Sequence, residues 1–319
     1  MKVTDYISAS KNKPLVSFEI LPPLKGKSFQ SICDVLDPLM EFKPPFINVT
    51  YHRSETKFKK MADGRFDKVA IRKRPGTVGI CAAIMNKYKV DAVPHLICGG
   101  FTIEETEDAL IDLDFLGIQN ILCLRGDAPH GETQFTPEIG GHHHAIDLLK
   151  QAEKMNNGIY LEDDLKNPVK TNFCLGVAGY PEKHSEAPNM IADLKQLKAK
   201  VDAGAQFIVT QMFFDNSKYF EFVDACRKMD IHVPIIPGIK PLTTFKQLAI
   251  LPRTFNVNLP EELVTEIQKV KHDDEKVFNV GVEWCIQQSK ELVKSGAPVI
   301  HYYTMSNIKA IRTIAEHVF

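Results

Sequence analysis

Glu19 lies in "SFEILPP", between Phe18 and Ile20, with Pro22 and Pro23 just beyond. Apolar surroundings disfavour a carboxylate, so a glutamate held in such a run can donate a proton near neutrality and act as a general acid. The alternative is a glutamate neutralised by a nearby lysine or arginine. Period-two alternation puts Leu15, Ser17 and Glu19 on one face of the strand predicted here. A second run, "LCLRGD", ends in Arg125, Gly126 and Asp127. Arg-Gly-Asp also occurs in cell adhesion, but that role needs an exposed loop of an extracellular protein, and this tripeptide closes a predicted buried strand.

Other polar residues fall at the ends of apolar runs: Thr50, Tyr51 and His52; His95; Tyr180 and His184; Gln211; Lys240; Tyr302 and Tyr303. Lys240 has the type and place of a Schiff-base lysine in a barrel aldolase, or of an ordinary solvated lysine. His142, His143 and His144 suggest a metal, yet consecutive side chains diverge along a helix, so no metal site is expected. Asp193 and Lys200 share one helical face two turns apart. They read as surface charges unless a ligand spans that face.

The elements that would position these groups alternate along the chain. Eight short β-type runs, "LVSFEIL", "FINVTYH", "AVPHLIC", "NILCLRG", "NFCLGVAGY", "FIVTQMFF", "VPIIPGIK" and "VIHYYTM", are separated by helical patterns. Helices are expected over residues 28–42, 78–88, 188–203 and 219–229, within 243–294, over 307–317, and from about Gly141. Another lies in "TIEETEDALIDLDFLG", where Thr102 and Glu105 form a capping box and Gly117 a C-cap. Residues 53–77 read as a loose charged stretch, and "NNGIYLEDDLKNPVKT" as an excursion. Eight strand–helix repeats predict a single (β/α)8 TIM barrel over residues 1–319, with its chemistry at the carboxyl ends of the strands. A doubly wound sheet would usually carry G-x-G-x-x-G after an early strand, and the chain has no G-x-G.

Composition narrows the setting. Thirty-nine Lys and Arg balance 40 Asp and Glu without clustering, which argues against a nucleic-acid surface or an electrostatic membrane anchor. Seven cysteines lie far apart with no C-x-x-C, and read as buried, reduced thiols. No segment has signal-peptide or membrane-spanning character, so a soluble cytoplasmic protein is expected.

Taken in order, "VSFEILPP", "FINVTYH", "PHLIC", "LCLRGD", "AGYPEKH", "DAGAQFIVTQMFFD", "IIPGIKP" and "HYYT" resemble the catalytic barrel of the 5,10-methylenetetrahydrofolate reductase family. The resemblance runs from the first strand to the last. It implies an FAD enzyme in which NADH or NADPH reduces the flavin and leaves. 5,10-Methylenetetrahydrofolate then takes its place and is reduced to 5-methyltetrahydrofolate, which supplies methyl groups for methionine synthesis. Glu19 matches the family's general acid, which protonates N10 and opens the ring to an N5 iminium. Asp127 matches an aspartate beside the flavin that reaches the pterin and opposes negative charge on reduced flavin.

Tyr51, His95, Arg125, Gly126, Tyr180, His184, Asp193 and Lys200, with Ala145, match flavin-binding positions, Lys200 toward the diphosphate. Thr50 matches a nicotinamide contact, Gln211 a contact shared by nicotinamide and folate, and Gln247 a folate contact. Three positions depart from the family pattern. Leu24 replaces a common basic residue, Leu251 a frequent aromatic, and Asn307 an arginine that binds folate. A homo-oligomer is expected, and no C-terminal regulatory domain. Other flavin barrels, such as a proline dehydrogenase-like oxidase, would not predict Glu19 within "SFEILPP".

Overall fold

All eight runs expected to be strands do form strands, and each pairs in parallel with its neighbours. The computed structural model describes all residues except Asn12, residues 129–131, Thr133 and Ser306; the side chains of Thr56 and Lys68 are also outside the description. A short helix α1 (Val3–Ala9) precedes β1 (Leu15–Ile20). Then come α2 (Gln30–Leu36) with a 3-10 turn (Asp37–Phe42), β2 (Phe46–Val49), and a hairpin of β3 (Glu55–Lys60) and β4 (Phe66–Ile71). The middle of the chain runs α3 (Thr77–Tyr88), β5 (Asp91–Ile97), α4 (Ile103–Phe115), β6 (Asn120–Leu124), α5 (Ala145–Asn156), β7 (Cys174–Gly179), α6 (Met190–Asp202), β8 (Phe207–Thr210) and α7 (Asn216–Lys228). It closes with β9 (Ile235–Ile236), β10 (Gly238–Ile239), α8 (Gln247–Phe255), α9 (Glu261–Lys269), α10 (Asp274–Lys294), β11 (Val299–Tyr303) and α11 (Ile308–Val318).

The sheet order β10-β11-β1-β2-β5-β6-β7-β8-β9 becomes a ring because β9 and β10 are halves of one barrel strand. They flank Pro237, which has no N–H to give the ladder and so splits the strand. The first half pairs with β8 and the second with β11. The result is the expected (β/α)8 barrel.

Two expectations differ in detail. Residues 53–77 are not loose: β3 and β4 pair antiparallel, turning at Gly64 with φ +86°. The many lysines masked this period-two pattern. The start of the chain also forms a helix that sequence reading had not picked out. Val3 of α1 is fully buried and packs with Phe46, Val93, Leu122, Cys174, Phe207, Val209, Ile236 and Val299, closing the amino-terminal end of the barrel. Asn120 holds it there by accepting from the Val3 N–H at 2.8 Å. Among the described residues no helix is long and apolar enough to cross a membrane, and all seven cysteines are buried and free.

Candidate active site

The barrel interior is layered, and the layering follows from strand alternation. Two residues on from Leu15, Phe46, Val93 and Val299, which face the inner core, stand Ser17, Asn48, His95 and His301. These four are 0, 1, 5 and 0 % exposed, so a buried polar layer sits directly above an apolar one. One step further along β1 comes Glu19, whose side chain retains 15 % of its exposure.

Glu19 Oε2 lies 3.5 Å from His95 Nε2 and 3.6 Å from His301 Nε2. Its neighbours at ion-pair range are thus two imidazoles, and among the described residues no lysine or arginine forms an ion pair with it. Asn48 Nδ2 is 3.4 Å from His95 Nε2. Tyr303 stands opposite Glu19 in the β1–β11 register, and Thr304 donates its hydroxyl to the Glu19 carbonyl at 2.7 Å. Sequence reading singled out Glu19 and His95 but missed Asn48 and His301.

Burial pushes the His95 imidazole down to about 4, only partly offset by Glu19. The unfolded value is near 6.5, so between the two the unfolded chain binds more protons. This contribution to stability is complete above about pH 6.5 and is lost as pH falls toward about 4, on the order of 3 kcal/mol in full. His95→Gln is expected to flatten that part of the acid slope. Urea unfolding at pH 7 and pH 5 on both proteins checks this, and parallel losses would show that His95 is not buried in its neutral form.

Around the mouth, the loops after β6 and β7 are tied together. Arg125 forms a two-pronged ion pair with Glu186, at 2.6 and 2.8 Å, and lies over Phe135. Gly126 has φ +86°, and a Cβ there would come within 3.1 Å of Ile97. Its glycine is thus required by the backbone and by Ile97, whatever ligand approaches. Asp127 is exposed at the rim, where its charge acts on both His52 and Tyr180. Tyr180 packs edge-on against His184 at 4.7 Å, and burial raises its phenol to about 12. The His184 N–H donates to Asp193 at 2.7 Å, while its Nδ1 accepts from the Glu186 N–H.

Tyr180, Asp193 and Lys200 line one narrow cleft with Ala178 and Phe222, so the charge pair two turns apart on α6 meets Tyr180 rather than standing alone on the surface. Lys200 is pushed down to about 8 by burial, opposed by Asp193. Its ammonium donates to the Ala178 carbonyl at 3.2 Å. An ammonium whose hydrogen-bond partner is a neutral carbonyl has donors to spare for an anionic ligand group, which is what the diphosphate of a dinucleotide such as FAD would present. Ala145 opens α5, whose cap residue His144 acts electrostatically on Glu186, and so borders the same region.

The remaining expected positions are less engaged with this centre. Thr50 extends the β1–β2 ladder, donating its N–H to the Ile20 carbonyl at 3.1 Å. Tyr51 is half-buried and packs on Phe101 at 5.1 Å. Gln211 turns its side-chain oxygen back to the Met212 N–H. Gln247 Oε1 accepts from the N–H groups of Thr243 and Thr244, bracing its own loop. Leu24 is exposed and Leu251 is buried in a satellite core under α8 to α10.

Asn307 caps α11, its Oδ1 accepting from the Ala310 N–H at 3.3 Å. Asn307→Ala is therefore expected to cost about 1 kcal/mol of stability through the lost cap, with only a modest loss of folate affinity. Thermal unfolding and a folate titration check it. A loss of several kcal/mol in folate binding would mean that Asn307 carries the role of the replaced arginine.

Lys240 and the three consecutive histidines, which suggested other chemistries, have surroundings of their own. Lys240 is buried rather than solvated: it is 6 % exposed and pushed down to about 8 by burial. Its ammonium donates to the Pro241 carbonyl at 3.3 Å, and the ionisable group acting on it is Cys285 of α10. Of the three histidines, His142 is buried against Gln151 while His144 is at the start of α5. Among the described residues, no group of three or more His, Cys, Asp or Glu side chains is arranged to hold an ion.

A parallel barrel with a part-buried carboxyl group and a cleft holding a lysine and an aspartate at the carboxyl ends of its strands has the build of a barrel enzyme. Comparison with known proteins narrows this further: residues 2–318 match the family described as methylenetetrahydrofolate reductase. The chain belongs to the methylenetetrahydrofolate reductase family. It is 32% identical to methylenetetrahydrofolate reductase 1 of Schizosaccharomyces pombe over 100% of its own length and 48% of that protein. It is 33% identical to the 5,10-methylenetetrahydrofolate reductase of Escherichia coli over 91% of its length and 86% of that protein. The chain thus spans about half the length of the eukaryotic relatives and most of the bacterial one. Among solved structures, an uncharacterized Clostridium thermocellum protein that binds two copies of 5-methyl-5,6,7,8-tetrahydrofolic acid has a similar fold. Its TM-score is 0.57 at 13% identity, covering 98% of this chain and 97% of that one.

Proposed function

We propose that this protein reduces 5,10-methylenetetrahydrofolate to 5-methyltetrahydrofolate, using FAD and NADH or NADPH in two alternating half-reactions. The observation that carries this reading is Glu19, set between two imidazoles near the carboxyl end of β1 in a chain of the methylenetetrahydrofolate reductase family. When bound, FAD supplies the redox chemistry, taking electrons from the nicotinamide and passing them to the folate.

The chain's own residues have distinct tasks. Glu19 donates a proton to N10 of the folate, breaking the C–N10 bond of the five-membered ring and leaving the iminium at N5 as the acceptor. Asp127, at the rim between His52 and Tyr180, favours that cation and disfavours negative charge close by. Lys200 and Asp193 hold the polar tail of the dinucleotide in the cleft beside Tyr180. The Arg125–Glu186 pair keeps the two loops of the mouth in register. Gln211 contacts nicotinamide and folate in turn, Gln247 contacts folate, and Thr50 the nicotinamide. The protein acts as a soluble cytoplasmic homo-oligomer.

The test is direct. Purified protein reconstituted with FAD should show a flavin spectrum that NADH or NADPH bleaches under anaerobic conditions, and methylenetetrahydrofolate should restore the colour with formation of 5-methyltetrahydrofolate. A protein that takes up no flavin, or whose reduced flavin is not reoxidised by the folate, would not be this reductase.

A further inference from the structure

His301 is given no task of its own in that reading, yet it is fully buried against the proposed acid. Its Nδ1 lies 2.8 Å from Ser17 Oγ, its residue partner in the β1–β11 register. Its Nε2 has no hydrogen-bond partner within ordinary range and stands 3.6 Å from Glu19 Oε2. The tautomer follows from the serine. Ser17 is itself 0 % exposed, and Nδ1 of His301 is the partner its hydroxyl has among the described residues. A buried hydroxyl proton needs an acceptor, so Ser17 donates to Nδ1, which leaves the ring N–H at Nε2, facing the carboxyl group. Tyr303 meets the ring edge-on at 5.2 Å and 86°, which fixes its plane. His95 faces the same carboxyl oxygen from the other side, and His52 and Tyr303 also act on Glu19 electrostatically.

We propose that His301, locked by Ser17, is a positioning residue: its Nε2–H directs Oε2 of Glu19 and leaves Oε1 to present the transferable proton to the folate. Serine, histidine and carboxylate also compose a hydrolytic triad, but here the order of access is inverted. The hydroxyl is the sealed end and the carboxyl group is the end that reaches the mouth, so Ser17 is an anchor and not a nucleophile.

This inference rests on Glu19 being the acid, and its test separates the two claims. Nitrogen-15 NMR of ring-labelled histidine in the cofactor-free protein, assigned by comparison with His301→Gln, should show Nε2 protonated and Nδ1 bare. Anaerobic stopped-flow then follows the two half-reactions in the flavin-loaded protein. His301→Leu should slow reoxidation by methylenetetrahydrofolate about 10-fold or more, the order that misplacing a reacting group costs, and leave bleaching by NADH unchanged. His301→Gln, which keeps an N–H near the Nε2 position, should recover most of that loss. In a Glu19→Gln background His301→Leu should add nothing. If His301→Leu does not fold, Ser17→Ala, which frees the tautomer, takes its place and should slow the same step.

An Nδ1–H tautomer would overturn the proposal. So would normal folate reduction in His301→Leu while Glu19→Gln is slow, or a loss shared equally by both half-reactions. Normal reoxidation in Glu19→Gln would instead remove the acid role on which the inference depends.

Discussion

Glu19→Gln is expected to leave the bleaching of bound FAD by NADH near the unaltered rate, while reoxidation by methylenetetrahydrofolate falls by ~10²–10⁴. The asymmetry follows from the chemistry of each step. Passing hydride from a nicotinamide to the flavin needs no proton on a folate nitrogen; opening the folate's five-membered ring does. The amide keeps the shape of the carboxyl group and can put its oxygen where Oε2 now meets His95 and His301. What it lacks is a proton to give. Anaerobic stopped-flow absorbance resolves the two steps. Equal losses in both would make Glu19 a residue that holds flavin or fold, and unimpaired folate reduction would place the acid elsewhere.

Much of this site was legible because barrel strands expose their chemistry at a fixed end. Reading polar residues at the ends of apolar runs found Glu19, His95, Tyr180 and His184 without knowledge of which strands adjoin. His301 escaped for a physical reason. It lies inside "VIHYYTM", where a histidine among apolar residues reads as packing, and its meaning depends on β11 closing against β1 in a register that puts it opposite Ser17. Closure registers are set by the whole ring and leave no local mark. A usable signal did exist: Ser17, Asn48, His95 and His301 each follow by two residues a position in the apolar inner face. Polar residues in the inward phase of four strands imply a shared buried layer.

Charge misled in both directions. The lysines of β3 suggested a loop where a hairpin forms, and the lone Lys240 suggested a solvated group where a buried one stands. Lys200 is the instructive contrast. The same residue type on a helix looked like surface charge, and only the fold shows that Asp193 and Lys200 meet Tyr180 in one cleft. The seventh strand was also read as continuous, though Pro237 divides its hydrogen bonding between β8 and β11.

The loop that leaves this divided strand gives the second large expectation, a loss of stability in Gly281→Ala. Gly281 lies within α10, where alanine would ordinarily favour a helix by about 1 kcal/mol. Here a Cβ would overlap the carbonyl oxygen and carbon of Leu242, which is 1 % exposed and belongs to the satellite core with Leu251, Leu263 and Val277. The obstacle is backbone, so no side chain can swing away, and either α10 or residues 240–247 must shift. Overpacking of this kind typically costs ~1–3 kcal/mol, occasionally more, which outweighs the gain in helix propensity. The shift would also disturb Gln247, whose side chain braces Thr243 and Thr244 in that same loop, so folate binding should weaken with stability. Gly79→Ala is the internal control. Gly79 is exposed in α3, and a Cβ there meets nothing within 4 Å, so the same substitution should stabilise by roughly 0.5–1 kcal/mol. Urea unfolding of both variants measures the contrast. Gly281→Ala as stable as the unaltered protein would mean that α10 does not press on Leu242 as the fold requires.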